Sequence, residues 1–319
     1  MPDVRYPDPA QPEPLLPEHP LPKHPLPELE TDVSLPRCRR RVGWAEIVLP
    51  LAAAAFLMAV WGFMIEPDLL RVREVRIETG KWPAALPPLK MVAIADIHAG
   101  APYIDEAKLD RIVVEANARD PDVVVLLGDY VENVPLGRPM RPETIARHLA
   151  QLKARHGVFA VLGNHEWYGD GEHVWRALEA VGIRVLENQA APLPGSGGRV
   201  WLAGIADDGT RISDVPGTLR AIPKDATVIA ITHDPAVFRG IPSRVALTLA
   251  GHTHGGQVVL PFWGPLGFPG GAPLRYARGH IREDGRDLFV TSGIGTSLLP
   301  VRFGVLPEIV VLTLASPPR

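Results

Sequence analysis

A single cysteine, Cys38, stands among 319 residues. This excludes a disulfide framework within the chain and any cysteine-built structural zinc site. Cys38 lies in Pro36-Arg37-Cys38-Arg39-Arg40, which lacks the small apolar residues of a lipoprotein signal, so it reads as an unpaired thiol without a role. Charge of either sign is also short of an excess: 33 Lys and Arg against 36 Asp and Glu leave a net charge of -3. General nucleic-acid binding needs a basic surplus, so nucleic acid is not an expected partner, and nuclease action on long duplex DNA is disfavoured. Residues 1–36 have almost no aromatic or β-branched side chains and are crowded with Pro and Glu. Such a stretch buries too little apolar surface to offset its ordering entropy, and it reads as a disordered tether. Its Pro-x-Pro spacing suits a reader of polyproline II, but an extended spacer explains it more simply.

One long apolar run is present, Val42 to Ile65, broken only by Glu46 and Pro50. As a helix it is about 36 Å long, enough for a bilayer core of roughly 30 Å. Glu46 falls near one headgroup region, and Trp61 and Phe63 suit the opposite interface. Residues 37–66 are therefore predicted to be a membrane anchor with a basic flank, and 67–319 a catalytic domain. A cleaved signal peptide fits less well, given the long leader and no small-x-small site before Glu66. Arg37, Arg39, Arg40 and Arg41 argue for a cytoplasmic N-terminus, but Arg71, Arg73 and Arg76 follow the run closely. The side of the membrane stays open.

Five short polar stretches each follow an apolar run. They are Asp96-Ile97-His98, Gly128-Asp129, Gly163-Asn164-His165-Glu166, Thr232-His233-Asp234 and Gly251-His252-Thr253-His254. The runs ahead of them, Met91 to Ala95, Val123 to Leu127, Val158 to Leu162, Val228 to Ile231 and Val245 to Ala250, read as buried strands. Glu74 to Glu78, Val200 to Ile205, Leu288 to Thr291 and Glu308 to Leu314 read as further strands. Helical spacing covers Asp105 to Arg119, Glu143 to Arg155, Val174 to Ala180 and Ser213 to Ile222. Carboxylate oxygens mixed with imidazole nitrogens suit Mn, Fe or Zn. Asp207 and Asp208, after a strand, could orient a ligand histidine, but they read more simply as ordinary turn acids. His19, His24, His148, His156, His173 and His280 lack such context and read as surface residues.

The order D-x-H, GD, GNH[DE], lone His, GHxH resembles the calcineurin-like metallophosphoesterases. The likeness spans roughly Met91 to Leu314, and the C-terminal part is similar to a membrane-anchored bacterial branch of that family. The resemblance implies an α/β fold, a four-layer αββα sandwich of two mixed sheets flanked by helices. It also implies two divalent metal ions as cofactors. One is held by Asp96, His98, Asp129 and His254, the other by Asp129, Asn164, His233 and His252, with a hydroxide bridging the pair as nucleophile. His165 is then the catalytic residue that protonates the leaving oxygen or stabilises the transition state. Gly128-Asp129-Tyr130-Val131-Glu132 departs from the GDxxD of some relatives, which removes a supporting acid but no metal ligand.

The implied reaction is hydrolysis of a phosphoester or pyrophosphate in a phosphorylated small molecule or a lipid-linked substrate. Relatives include enzymes that split UDP-2,3-diacylglucosamine in lipid A synthesis. A broad exported phosphomonoesterase or phosphodiesterase is the alternative, and a metal-free scaffold fits least because every ligand position is filled. The implied location is a bacterial inner membrane, crossed once. Leu260 to Phe268, with Leu298, Leu299 and Phe303, puts apolar groups near the metal-binding turn. Phe262, Trp263 and Leu299 are predicted to contact acyl chains or lipid; a loop packed on the domain is the plainer expectation.

Overall fold

Met91 and Ala93 face one way along their strand, Val92 and Ile94 the other, and all four are buried. A strand buried on both faces needs a layer on each side, and that requirement fixes the architecture. The computed structural model describes residues 43–131, 138–267 and 271–318. Expectations for residues 1–36, the Arg37 to Arg41 cluster with Cys38, His19, His24, Glu132 and Phe268 lie outside them.

The first sheet holds β1 (Arg71–Glu78), β2 (Leu89–Ile94), β4 (Val123–Leu127), β6 (Val158–Val161), β7 (Arg184–Val185) and β16 (Glu308–Ala315). Its order is β1-β16-β2-β4-β6-β7, parallel except where β16 meets β2. The second holds β8 (Gln189–Pro192), β9 (Val200–Ile205), β10 (Thr227–Thr232), β11 (Val245–Ala250), β14 (Gly279–Glu283) and β15 (Arg286–Val290). Its order is β14-β15-β11-β10-β9-β8, with antiparallel pairs at both edges. Two short ribbons complete the strands: β3 (Gly100–Ala101) with β5 (Arg138–Pro139), and β12 (Val259–Leu260) with β13 (Gly264–Pro265).

Met91, Val125, Leu127, Ile229, Leu247 and Leu312 form the core between the sheets. Helices α2 (Glu106–Asn117), α3 (Pro142–Leu149) and α5 (Gly171–Ala180), the last preceded by the short α4 (Asn164–Tyr168), cover the outer face of the first sheet through Leu109, Ile112, Leu149 and Val174. The outer face of the second is closed by α6 (Val215–Arg220) and a 3-10 turn at Pro235–Gly240, through Leu219 and Phe238. The predicted αββα order is the observed one.

Two expectations change. Helix α3 stops at Leu149 rather than Arg155, because the Asn117 side chain captures the backbone beyond it. Its amide donates to Gln151 O at 2.8 Å and its oxygen accepts from Lys153 N at 2.7 Å. His148 is buried rather than on the surface. Its ring lies 2.6 Å from Asp110 and 2.9 Å from Glu106, joining α3 to α2.

The apolar run forms α1 (Trp44–Val60), a π-helical turn at Trp61–Ile65 and a 3-10 turn at Glu66–Asp68. Together they make one helical stretch of 25 residues, long and apolar enough to cross a bilayer.

Candidate metal centre

All five polar stretches lie beyond the C-terminal ends of parallel strands: β2, β4 and β6 in one sheet, β10 and β11 in the other. That rim is where open parallel sheets leave a crevice for a ligand. Neighbouring loops are laced together by backbone bonds. Asp96 N donates to Gly128 O, His98 N to Asp129 O and Gly251 N to His233 O, each at 3.0 Å.

Five of the candidate ligands, Asp96, His98, Asp129, His252 and His254, have φ between 46° and 69°. Side chains other than glycine rarely adopt this left-handed region, at a cost of about 1–3 kcal/mol each, and such strain gathers at functional sites. Close approach also sets the adjoining glycines. A Cβ on Gly128, itself at φ 90°, would lie 2.6 Å from Gly163 N and 2.8 Å from His233 Nδ1.

The side chains converge. His98 Nε2 lies 3.2 Å from His254 Nε2, and His252 Nδ1 lies 3.0 Å from His233 Nε2. Asn164 Oδ1 is 3.1 Å from His233 Nε2, and His254 Nε2 is 3.5 Å from Asp96 Oδ1. Asp129 Oδ1 accepts the His165 amide at 3.0 Å. Its Oδ2 is then turned to both sides of the cleft, 3.1 Å from His233 Nε2 and 3.6 Å from His98 Nε2. Asp96, His98 and His254 form one group whose donor atoms lie within 4.8 Å of one another, and Asp129, His233 and His252 form another. Buried ring nitrogens aimed at each other and at carboxylate oxygens are a donor set that fits divalent cations. His165 falls with His98 and Asp129 in a third such group, its Nε2 3.4 Å from Ser297 Oγ.

Protonation follows from the same geometry. The Leu127 carbonyl can only accept, so His233 Nδ1 donates to it at 2.7 Å and directs Nε2 into the cleft. Burial opposes charge on His233, but the Asp129 carboxylate outweighs it and holds the ring well above the ordinary histidine value. Asp129 is reciprocally held well below its own range: burial resists, and the His233 cation prevails. Burial pushes His98 down to about 3 and Asp96 up to about 7. A metal ion competes with these protons for the same nitrogens and oxygens, which makes its binding pH-dependent.

Two supporting residues carry no sequence expectation. Glu166, fully buried, accepts amides from Asp129, Tyr130, Val131 and Gly163 at 2.8–3.2 Å, pinning the β4 loop to the β6 loop. Arg302, also fully buried, lies 3.4 Å from His254 Nδ1. Glu166 stood inside the GNH[DE] motif, whereas nothing marks an arginine between Val301 and Phe303. Asp207 Oδ2 accepts from Thr210 and Asp208 Oδ1 from Ser213, so both act as turn acids as expected.

Beside His254 opens a cavity of about 490 Å³, lined by Val258, Leu266, Leu298, Leu299 and Val301, with Gln257 and Ser297 at the polar end. Leu299 is thus in the wall. Phe262 and Trp263 are not; they sit exposed at the tip of the β12–β13 ribbon, so the packed-loop expectation fails for them. Phe262 and Leu298 both have φ 65°, a strained setting for an exposed apolar side chain.

Residues 89–281 match the calcineurin-like phosphoesterase family. The uncharacterized metallophosphoesterase YkuE of Bacillus subtilis is 31% identical over 277 residues, covering 83% of this chain and 93% of that protein. An uncharacterized metallophosphoesterase of Aquifex aeolicus is 32% identical over 262 residues, covering 78% and 94%. A transmembrane protein with metallophosphoesterase domain from Danio rerio is 31% identical over 284 residues, covering 84% of this chain and 62% of its own length. The likeness to the two bacterial proteins runs nearly their whole length, so the chain belongs to the calcineurin-like phosphoesterases and is a metal-dependent phosphoester hydrolase.

Proposed function

We propose that this protein is a membrane-anchored dinuclear phosphoesterase acting on a lipid-linked phosphoester or pyrophosphate. Asp96, His98, Asp129 and His254 would hold one ion, and Asp129, Asn164, His233 and His252 the other. Mn, Fe and Zn all suit such nitrogen and oxygen donors. Bound there, divalent ions acidify water to near-neutral pKa and attract the phosphoryl oxygens. The residues do the rest. Asp129 reserves Oδ2 for the space between the two groups because the His165 amide occupies Oδ1. Leu127 O fixes the His233 ring with Nε2 forward. His165 stands at the edge of the cleft beside Ser297, placed to pass a proton to the leaving oxygen.

The cavity is the observation that carries the lipid-linked part of the reading. It runs from His254 along leucines and valines, an environment that favours hydrocarbon over a hydrated group. The apolar helical stretch supports a place in the bilayer, and the exposed Phe262 and Trp263 suit its surface. A buried leucine contributes about 1.5–3 kcal/mol. Leu299→Ala should therefore raise KM for an acylated phosphoester about ten-fold or more, while a short soluble phosphoester is hydrolysed as before. An equal loss on both substrates would remove the acyl assignment and leave a general phosphomonoesterase or phosphodiesterase.

A further inference from the structure

The end of the apolar helix is built into the catalytic domain by buried polar bonds. Glu66, only 2% exposed, accepts from Trp61 Nε1 at 2.6 Å, Gly304 N at 3.0 Å and Val305 N at 2.6 Å. Arg302 N donates to Gly62 O at 3.0 Å. Gly62 is buried so closely that a Cβ would lie 3.3 Å from Arg302 O and from Val301 Cγ2. The Tyr103 hydroxyl lies between the carbonyls of Phe63 and Pro300. A tether that only held the domain near a membrane would need none of this.

From Arg302 the contacts continue inward. Its Nη2 donates to Ser292 O at 2.8 Å and Gly295 O at 2.6 Å, its Nε donates to Gly295 O at 2.9 Å, and Nη2 lies 3.4 Å from His254 Nδ1. Among the described residues no carboxylate lies within ion-pair distance of this buried cation, so backbone carbonyls supply its direct contacts while Asp96, Glu308 and Glu66 favour its charge from further away. The loop it ties is the one around the first ligand: Ile294 N donates to Ala95 O at 3.1 Å and Gly295 N to Asp96 O at 2.6 Å. A Cβ on Gly293 would lie 2.6 Å from the Asp96 carboxylate. The path ends at His254 and Asp96; it meets the second group only one step further on, where the Asp96 carboxylate accepts the His252 backbone amide at 3.0 Å. Both Glu66 and Arg302 also lie outside residues 89–281 that match the family.

We propose that the helix end, Trp61 to Glu66, is a structural part of the first metal site, and that Arg302 is the positioning residue that transmits it to His254 and Asp96. This rests on the two-ion reading above. A catalytic domain cut at residue 67 would then lack part of its own metal site. The test uses the full chain in detergent or nanodiscs, comparing wild type with Glu66→Gln, Arg302→Met and Arg302→Lys. Elemental analysis gives ion stoichiometry, chelator competition with manganese or zinc gives the affinity of each ion, and melting of the chelated protein reports the fold. Affinity for one ion should fall ten-fold or more in Glu66→Gln and Arg302→Met, with the other ion within two-fold. Arg302→Lys should restore part of the loss, and the chelated Glu66→Gln protein should melt close to wild type. Equal weakening of both ions in step with melting, or no change in either, overturns the coupling. A wild-type chain that holds fewer than two ions overturns the two-ion reading instead.

Discussion

His165 shares its ring environment with His98, the two centroids 4.6 Å apart and nearly perpendicular. Yet its backbone amide, not its ring, is what holds Asp129. Removing the imidazole therefore leaves that bond intact. His165→Asn should keep both ions by elemental analysis and lower kcat by about 10²–10⁴, the range for a lost general acid. Substrates with good leaving groups should suffer less, because they need less protonation. Equal losses across leaving groups would recast His165 as an electrostatic stabiliser, and loss of an ion would make it a ligand. At this scale the sequence was informative wherever a residue type itself carries the chemistry. Asp96, Asp129 and the five site histidines stood out because acids and imidazoles at strand ends have few other uses. Glu166 and Arg302 were silent because their partners are backbone amides and carbonyls, which every residue has and only the fold brings together.

Strands were legible for a different reason. Val123–Leu127 is an uninterrupted apolar run and Val245–Ala250 is interrupted only by Thr248, both with polar or glycine ends, and buried strands need little more. Helix ends were harder: the apolar spacing of α3 runs on to Leu152, but Asn117, thirty-odd residues earlier, decides where the helix stops. The α2–α3 contact has its own pH signature. Burial opposes charge on His148, but its bonds to Glu106 and Asp110 outweigh this and raise its pKa above 6.5, with Arg147 lying 4.0 Å from Glu106. A raised folded pKa means that the stabilisation is complete below the unfolded value and is lost as pH climbs through the folded one. The melting temperature of chelated protein should thus fall as pH rises past the ordinary histidine range by a component that His148→Gln removes. Both acids are more than half exposed, so the component is small. An identical slope in the variant would assign the pH dependence elsewhere.

For the molecule as a whole, the metal centre joins the two halves of the sandwich. Asp96, His98, Asp129 and Asn164 come from loops of the first sheet, His233, His252 and His254 from loops of the second. Ions held between them, as proposed above, would act as a clasp that binds only the folded arrangement. Free metal at about 100 times its dissociation constant should stabilise folding by about 2.7 kcal/mol per site. Chelation should lower the melting temperature by several degrees, and added manganese or zinc should restore it. No shift on chelation would mean that the ions are not held across the sheets. That the sheets meet here was visible from strand order only after the fold was known, since nothing in a motif says which sheet its strand will join. The five left-handed ligands give the clasp a further meaning. Under the proposed two-ion reading, metal binding would repay their backbone tension. Glycine or asparagine at one of these positions should relax its loop, so a variant that gives up a ligand here is expected to be the sturdier fold.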